Sequence, residues 1–284
     1  NCAVALKNHL AEGIIKCHYC DHTQKSMPLC PNCRSGKILS YGTGTQKLEK
    51  ELERMFPDAR ICRMDSDTTA RKGSQEEILC ALEQKKIDIL VGTQMITKGH
   101  DFPFITLVGV IAADTSLNMP DFRASEKTFQ MLTQVAGRGG RGTVCGRVII
   151  QTFNPQHYAL KYTQKHDYPS FYSDEIEFRR ALQYPPFSRI ICIRLSSAKK
   201  DALMEIARET GCKARELAAK HGNAVEIIGP SESPLAKIRG QYRQQMLLKG
   251  LNSRVLHAIA SELMEKHETS AVKITADVDP ENFM

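Results

Sequence analysis

Several features that define other protein classes are missing from this sequence of 284 residues, which has no tryptophan and only 6% aromatic residues. The longest apolar run, residues 104–113, is shorter than the roughly 18 residues that a membrane-spanning helix needs, and it is typical of a buried strand. The sequence also lacks a G-x-x-x-x-G-K-[ST] segment and an Asp-Glu pair of the Walker B type, which hold phosphates and magnesium in nucleoside triphosphatases. We therefore expect no membrane partner and no ATP hydrolysis by this chain alone. Because the first residue is Asn1 rather than Met, the sequence does not tell whether a targeting segment precedes it.

The size and charge of the chain set its broad class. Hydrophobic residues at 42% and charged residues at 25% are ordinary for a globular protein. The chain is longer than a typical domain of about 100–200 residues, so we expect two compact units and a smaller one. The net charge of +7 favours a polyanionic partner such as DNA, although a plain basic protein has the same balance.

Cysteines are concentrated at the start of the chain, where five of the ten lie within the first 33 residues. Two C-x-x-C pairs have the spacing with which thiolates on a tight turn supply half of a tetrahedral zinc site. The pairs could share one zinc ion, or Cys2 could be the remainder of an upstream pair in a larger set. His18 and His22 are alternative ligands that we expect to be solvated instead. The predicted metal ligands are Cys2, Cys17, Cys20, Cys30 and Cys33.

The hydrophobic pattern divides the rest of the chain into two parts. Strands alternate with helices from residue 40 onward, which indicates an α/β fold with a mostly parallel sheet. After one helical stretch over residues 158–182, Tyr184-Pro185-Pro186 marks a domain edge. The remainder has the order βαββαβ, the split ferredoxin-like motif. We predict a truncated Cys-rich zinc-binding module (1–39), an α/β lobe (40–165) and a C-terminal α+β domain (166–284).

The segment Gln134-Val-Ala-Gly137-Arg138-Gly-Gly-Arg141 resembles motif VI of superfamily 2 helicases, Q-x-x-G-R-x-x-R. Arginines three positions apart can turn their planar forks toward the same polyphosphate, and such an arginine can accelerate phosphoryl transfer by about 10³–10⁵. We therefore predict catalytic roles for Gln134, Arg138 and Arg141, with Gly137 at the nucleotide. A Gly/Arg-rich loop that only touches nucleic acid is the alternative.

Two further segments resemble motifs of the same superfamily. Gly92-Thr93-Gln94-Met95 and the following residues 98–103 are similar to motif V, which implies nucleotide contacts by Thr93, Gly99 and Asp101 and a DNA contact by Lys98. Residues 42–46, Gly-Thr-Gly-Thr-Gln, resemble motif IV and precede a predicted helix, where backbone amides suit an anion. The acidic stretch 65–69, Asp-Ser-Asp-Thr-Thr, predicts a polar turn rather than a metal site.

Together with residues 121–126 and 242–249, these motifs identify the chain as similar to the PriA family of replication-restart DNA helicases, the primosomal N-prime proteins, and the similarity covers the whole chain. It implies a second RecA-like helicase lobe and, in the full-length protein, ATP- and Mg²⁺-dependent unwinding from 3′ to 5′ at stalled forks. It implies two Zn²⁺ ions per full-length protein, with Cys2, Cys17 and Cys20 on one and Cys30 and Cys33 on the other. The implied location is the bacterial cytoplasm, at the nucleoid.

The partners that this resemblance implies are forked, single-stranded and duplex DNA, the C-terminal tail of single-strand-binding protein, and other primosome proteins. We expect a basic, aromatic-bearing surface on the terminal domain, with Arg254 near the pocket for that tail, although a merely solvated face has the same composition. The residues of this surface are Arg239, Tyr242, Arg243, Lys249 and Arg254. Two rival functions are a pure nucleic-acid-binding module and a different superfamily 2 translocase, against which the cysteine pairs argue.

Overall fold

The computed structural model describes residues 7–9, 14–17, 22–25, 29, 33–36, 45–65, 68–69, 71, 73–93, 96, 104–137, 146–265 and 271–283. They fall into two compact units. One unit comprises Asn1–Ile38, Asn118–Ala124 and Tyr172–Met284, and the other comprises Leu39–Leu117 and Ser125–Phe171. The described part of the chain contains no helix long and apolar enough to cross a membrane.

The first strands form a small antiparallel sheet in the cysteine-rich segment. Their order is β1-β2-β3, and Lys16 at the end of the second strand pairs with Thr23 at the start of the third. The connection between these two strands is therefore a hairpin that spans residues 17–22. The strands are β1 (Lys7–His9), β2 (Ile14–Lys16) and β3 (Thr23–Lys25).

The unit that begins at Leu39 has the expected alternation of helices and strands. Strands β4 and β5 are parallel neighbours, as are β6 and β7, which confirms the predicted parallel pairing for these strands. The elements are α1 (Thr45–Met55), β4 (Ile61–Met64), α2 (Ser74–Glu83), β5 (Ile89–Gly92), β6 (Leu107–Val110), α3 (Ala113–Leu117), α4 (Ala124–Ala136), β7 (Arg147–Ile150) and α5 (Tyr158–Lys165).

Two local predictions for this part of the chain were wrong. We expected one helical stretch over 158–182, but His166 adopts a left-handed conformation and ends α5. A second helix, α6 (Tyr168–Ala181), then begins beside Asp167, whose carboxylate accepts a hydrogen bond from the Ser170 amide at 3.0 Å. Ser74 and Glu77 have the spacing of a capping box, which predicts that Ser74 caps α2, but Gly73 occupies the cap position and no side chain caps the helix.

The terminal part of the chain forms a four-stranded antiparallel sheet with two helices. Its sheet order is β11-β8-β10-β9, so the first and third strands of this segment lie at the centre. The predicted order of strands and helices is confirmed. The elements are β8 (Arg189–Ser197), α7 (Lys200–Lys220), β9 (Val225–Ile238), β10 (Gln241–Gly250), α8 (Ser253–Glu265) and β11 (Lys273–Val278).

This sheet buries apolar side chains on both faces. Successive side chains of its central strands point to opposite faces, and both sets are apolar. Ile191, Ile193 and Leu195 of β8 pack with α7 and α8 in the largest apolar cluster. The alternate residues Ile190 and Cys192 lie in a second cluster on the opposite face. Other members of this second cluster are Cys17, Phe122, Tyr184, Ile228, Leu247 and Phe283.

Candidate nucleotide, zinc and nucleic-acid sites

Helix α4 carries the beginning of the predicted nucleotide site. Residues spaced three apart, Phe129, Leu132 and Val135, are buried, so this face fixes the helix in its unit. Gln134 is exposed near the end of the helix, and Gly137 follows with its amide donating to the Thr133 carbonyl at 3.0 Å. Arg138 and Arg141 lie outside the described residues. The structure thus places Gln134 where a ligand can reach it.

Thr93 follows β5 and is exposed at the carboxyl end of this strand. The preceding residue must be glycine, since a Cβ on Gly92 would lie 2.3 Å from the Met64 carbonyl oxygen on β4. Open α/β sheets bind ligands at the carboxyl ends of their parallel strands, so Thr93 lies at a suitable edge. Lys98, Gly99 and Asp101 of the same predicted motif lie outside the described residues.

Asp65 lies at the same edge, directly after β4, and only 6% of its surface is exposed. Its carboxylate accepts hydrogen bonds from the Thr45 hydroxyl at 2.5 Å and from the Thr68 amide at 3.1 Å. Arg63 donates to the same carboxylate at 2.9 Å. The Thr69 amide donates to the Asp65 carbonyl at 2.9 Å, so the predicted polar turn is confirmed. Through the hydrogen bond between Thr45 and Asp65, this turn also holds the start of α1 beside the end of β4.

In the cysteine-rich segment, the structure describes only two of the predicted zinc ligands. Cys17 is buried at the start of the hairpin connection, and its amide donates to the His22 carbonyl at 2.8 Å. Cys33 is exposed. Cys2, Cys20 and Cys30 lie outside the described residues, and those that are described contain no cluster of three metal-binding side chains. Zinc accepts thiolates from C-x-x-C pairs on tight turns, and the position of Cys17 directly after β2 is compatible with such a half-site.

The hairpin between β9 and β10 carries part of the predicted basic surface. Its two turn residues, Arg239 and Gly240, both have positive φ angles of 49° and 79°, which is typical of a type I′ turn. Arg239 is exposed at this turn. Lys237 lies 4.4 Å from the centre of the Tyr242 ring and donates to its hydroxyl at 3.2 Å. Lys237 is not among the residues predicted for this surface, although its position just before the turn could have indicated it.

Arg243 lies on the face of the sheet opposite the helices. It pairs with Ser196 of β8, two residues beyond Arg194 on the same face. Arg194 is occupied, since it donates to the Asp277 carboxylate at 2.6 Å and to the Asn282 carbonyl at 3.0 Å. Burial lowers the pKa of the Arg243 guanidinium from its usual value, and the charge of Arg194 lowers this pKa further. An anion at Arg243 would relieve this repulsion.

Lys249 differs from the other predicted surface residues because it is 9% exposed. Its ammonium lies 2.7 Å from the Glu226 carboxylate, donates to the Leu182 carbonyl at 3.1 Å and lies 5.1 Å from the centre of the Tyr184 ring. We expected the Lys249 ammonium to contact DNA or a peptide, but it contacts these three groups of its own chain instead. The position of Lys249 therefore indicates a structural role.

Arg254 is exposed in the first turn of α8, where Asn252 accepts hydrogen bonds from the Arg254 and Val255 amides at 3.0 and 3.4 Å. Within the described residues its guanidinium has no carboxylate partner in an ion pair. The amino-terminal end of a helix attracts negative charge, so an acidic group beside Arg254 would interact favourably both with the guanidinium and with the helix dipole. This arrangement can bind an acidic partner.

Comparison with protein families assigns three regions of the chain. Residues 1–25 match the PriA DNA helicase Cys-rich region domain. Residues 24–143 match the helicase conserved C-terminal domain. Residues 180–281 match the primosomal protein N C-terminal domain.

Curated relatives match along the whole chain. The replication restart protein PriA of Bacillus subtilis is 43% identical over 100% of this chain and 35% of its own length. The PriA proteins of Synechocystis and Treponema pallidum are 39% and 38% identical over 99% and 100% of this chain, and over 34% and 43% of their own lengths. Among solved structures, the de novo designed protein Foldit4 matches 32% of this chain and 96% of its own length, at 11% identity and a TM-score of 0.24. This TM-score is too low to bear on the fold. This chain spans about a third to two fifths of the length of the curated relatives, and it belongs to the PriA family of replication restart proteins.

Proposed function

We propose that the full-length protein is an ATP-dependent DNA helicase that unwinds DNA from 3′ to 5′ at stalled replication forks and initiates primosome assembly at the bacterial nucleoid. This chain supplies the second motor lobe. The observation that carries the proposal is the exposed Gln134 near the end of α4, a helix whose apolar face is buried. Gly137, Arg138 and Arg141 follow it in the sequence. The groups that hold the phosphates and Mg²⁺ belong to a part of the protein outside this chain.

In this proposal Arg141 reaches the γ-phosphate of ATP, Arg138 lies beside it, and Gln134 senses the nucleotide. Phosphoryl transfer leaves the protein mainly the task of positioning groups and neutralising charge. A guanidinium does both, because it is planar, always charged and able to donate two parallel hydrogen bonds. Thr93, Gly99, Asp101 and Gly137 complete the nucleotide contacts of this lobe, and Lys98 contacts the DNA.

The test is DNA-stimulated ATP hydrolysis and DNA binding by the full-length protein with Arg141→Ala. We expect the maximal rate to fall by about 10³ with little change in DNA affinity, because the arginine acts on the transition state. Arg71→Ala is the matched control, since Arg71 is a mostly exposed arginine of the same unit that is paired with Glu77. Near-normal turnover with weaker DNA binding would favour the rival function, a module that only binds nucleic acid.

We further propose that the full-length protein holds two structural zinc ions, with Cys2, Cys17 and Cys20 on one and Cys30 and Cys33 on the other. The position of Cys17 supports a zinc site in this module, because Cys17 lies directly after β2 and its amide donates to the His22 carbonyl beside β3. Zinc would stabilise the fold of this module. Elemental analysis of the full-length protein tests the count, and one zinc per chain would restore the single shared site.

For the terminal segment we propose a ferredoxin-like fold and, for the chain, a division into domains at 1–39, 40–165 and 166–284. The βαββαβ order and the central position of β8 and β10 support the fold assignment. Expression of residues 166–284 alone tests the boundary. A chain without cooperative unfolding would contradict it.

We propose that the terminal domain uses two separate surfaces. Arg239 and Tyr242 at the hairpin would contact DNA, with Lys237 as an additional cation, and Arg243 would contact it from the opposite face of the same strand. Arg254 would bind the acidic tail of single-strand-binding protein, and other primosome proteins would bind this domain as well. Arg254→Ala should weaken binding of a tail peptide by about tenfold or more, as expected for a charge-assisted bond, while Arg239→Ala should leave it unchanged. Equal tail affinity in all three proteins would remove Arg254 from the site.

A further inference from the structure

The connecting segment, Asn118–Ala124, runs from the end of α3 to the first residue of α4. It belongs to the unit that contains the terminal sheet, although the residues before and after it belong to the other unit. Phe122, in the middle of the segment, packs against the second apolar cluster of the terminal sheet. Ordering a segment costs conformational entropy, so contacts within its own unit must hold it in place.

The Phe122 ring is contacted by one aromatic ring and two guanidinium groups. It stacks on the Tyr184 ring, with centroids 4.7 Å apart and an angle of 6° between the two planes. The guanidinium carbons of Arg123 and Arg179 lie 4.2 and 5.1 Å from the centre of the Phe122 ring. Stacked rings, and cations over the face of a ring, attract each other beyond the gain from burial. These groups therefore fix the orientation of the ring as well as its position.

Arg179 of α6 is itself held in place by other groups of the same unit. Its guanidinium donates to the Glu175 carboxylate at 2.8 Å and to the Pro185 carbonyl at 3.4 Å. The Arg179 and Glu175 side chains are only 15% and 9% exposed, so water screens their attraction little. A cation that is already fixed loses little further side-chain entropy when it contacts the Phe122 ring. The ring thus occupies a preformed site.

A tight turn connects Phe122 to α4. The Asp121 carboxylate accepts a hydrogen bond from the Arg123 amide at 3.0 Å, and the Asp121 carbonyl accepts one from the Ala124 amide at 2.9 Å. Asp121 and Ala124, the first residue of α4, are 8% and 7% exposed. Gln134 lies ten residues further along this helix, a distance of about 15 Å at about 1.5 Å per residue. A helix moves largely as a rigid element, so a displacement at its beginning reaches Gln134.

We propose that Phe122 is a positioning residue for ATP hydrolysis. By stacking within its unit it holds the beginning of α4, and through this helix it determines the position of Gln134 and of the motif VI segment that begins there. The inference rests on the proposed helicase function. Loss of the ring leaves every nucleotide contact present but displaces it, and a displacement of about 1 Å caused by a mutation far from the reacting atoms can slow an enzyme by about 10². Phe122 therefore influences the rate of hydrolysis without contacting the nucleotide.

The experiment measures ATP hydrolysis by the full-length protein against ATP concentration at saturating DNA, with Phe122→Ala and Phe122→Tyr. Phe122→Ala should lower kcat by about tenfold or more, with a smaller change in KM, because the groups that act in the transition state are displaced. Phe122→Tyr keeps a ring that can stack and should recover most of the rate. A merely structural role would not separate kcat from KM in this way.

Leu263→Ala is the matched control for stability. Leu263 of α8 is 1% exposed and lies in the apolar cluster on the other face of the terminal sheet, so its loss destabilises the terminal domain from that face. At a temperature at which both variants are folded, Leu263→Ala should leave kcat unchanged. A role of Phe122 confined to the stability of the terminal domain would give both variants the same loss of rate.

Tyr184→Leu covers the case in which Phe122→Ala does not fold, because it keeps an apolar side chain and removes the ring on which Phe122 stacks. It should also lower kcat, and Tyr184→Phe should not. Unchanged kcat in Phe122→Ala and Tyr184→Leu, or equal losses in Phe122→Ala and Leu263→Ala, would overturn the inference while leaving the helicase function intact. An unmodified full-length protein without DNA-stimulated hydrolysis would overturn both.

Discussion

Replacement of Lys249 by methionine tests whether a residue of the predicted basic surface is structural. Methionine has a similar length and no charge, so Lys249→Met removes the ammonium while largely filling its space. The ammonium has three partners, namely the Leu182 carbonyl, the Glu226 carboxylate and the Tyr184 ring. All three interactions are lost together.

The magnitude follows from the exposure of each partner. A hydrogen bond from a charged donor contributes about 1.5–3 kcal/mol, and the ring contact about 0.5–1 kcal/mol. The ion pair contributes at most about 1 kcal/mol, because the Glu226 side chain is 58% exposed. Removing the charge also removes the cost of burying it, which offsets several kcal/mol of such gains. We therefore expect Lys249→Met to lower the free energy of unfolding by about 1–2 kcal/mol.

Hydrogen exchange of the β8 and β10 amides is the suitable measurement, because it reports the opening of this sheet separately from the other unit. A loss of 1–2 kcal/mol corresponds to exchange that is faster by a factor of about 5–30. DNA affinity and its salt dependence should stay unchanged in the full-length protein. Lys237→Met is the matched control, since this exposed lysine of the same domain should affect DNA binding and leave exchange unchanged.

One result would refute the reasoning. If Lys249→Met weakened DNA binding and reduced the slope of log affinity against log salt by about one, while amide exchange stayed the same, Lys249 would be a phosphate contact. Its contacts within the chain would then contribute little to stability.

Three further predictions concern single residues. Burial raises the pKa of the Cys192 thiol to about 11, so Cys192 should resist alkylation at pH 8 while the exposed Cys80 reacts. The stability that the neutral thiol contributes should be present below about pH 9 and lost as pH rises through about 11. Rapid labelling of Cys192 would contradict this. Hydrogen bonds from Arg60 hold the pKa of Asp88 well below its usual range, so the stability that this pair contributes should be present above about pH 4 and lost at lower pH. Asp88→Asn should abolish this contribution to the pH dependence of stability in acid titrations. Gly92→Ala should destabilise the unit that contains β4 and β5 by about 1–3 kcal/mol in urea unfolding, because the alanine methyl group would overlap a backbone carbonyl of β4. An unchanged unfolding midpoint would show that β4 and Gly92 do not approach each other this closely.

The terminal domain could be predicted from sequence because its elements are long and strongly patterned. In β8 the apolar residues continue on both faces of the strand. The sequence pattern predicts a helix over residues 200–220, and α7 has the same bounds. The other elements of this domain, apart from β9, differ by one residue from the bounds that the pattern predicts, which are 189–196, 242–249, 253–266 and 272–277. For β9 the sequence pattern predicts a strand over residues 224–228, but β9 continues ten residues further to Ile238, because it stays paired with β10 through two irregularities in register.

Interactions between residues distant in sequence could not be predicted. Thr45 and Asp65 are 20 residues apart, and their hydrogen bond depends on the packing of α1 beside β4. Lys249 has the composition of a surface residue, yet a carbonyl 67 positions earlier holds its ammonium. The five single cysteines, Cys62, Cys80, Cys145, Cys192 and Cys212, lie in apolar patterns that predict burial, but Cys80 and Cys212 are exposed. A shift of one residue turns a helical side chain by about 100°, so a cysteine beside an apolar residue can face water.

Strand β9 has a consequence for how this protein behaves in concentrated solution. It lies at the edge of the four-stranded sheet, and an edge strand offers its unpaired amide and carbonyl groups to any other strand. Pro230 and Pro234 have no amide hydrogen to offer. The two shifts in register fall in the same places on β9, between Ile228 and Ser231 and between Glu232 and Lys237, and interrupt the regular row of groups. A second copy of the domain therefore finds no continuous ladder to extend, which protects this long strand against edge-to-edge aggregation.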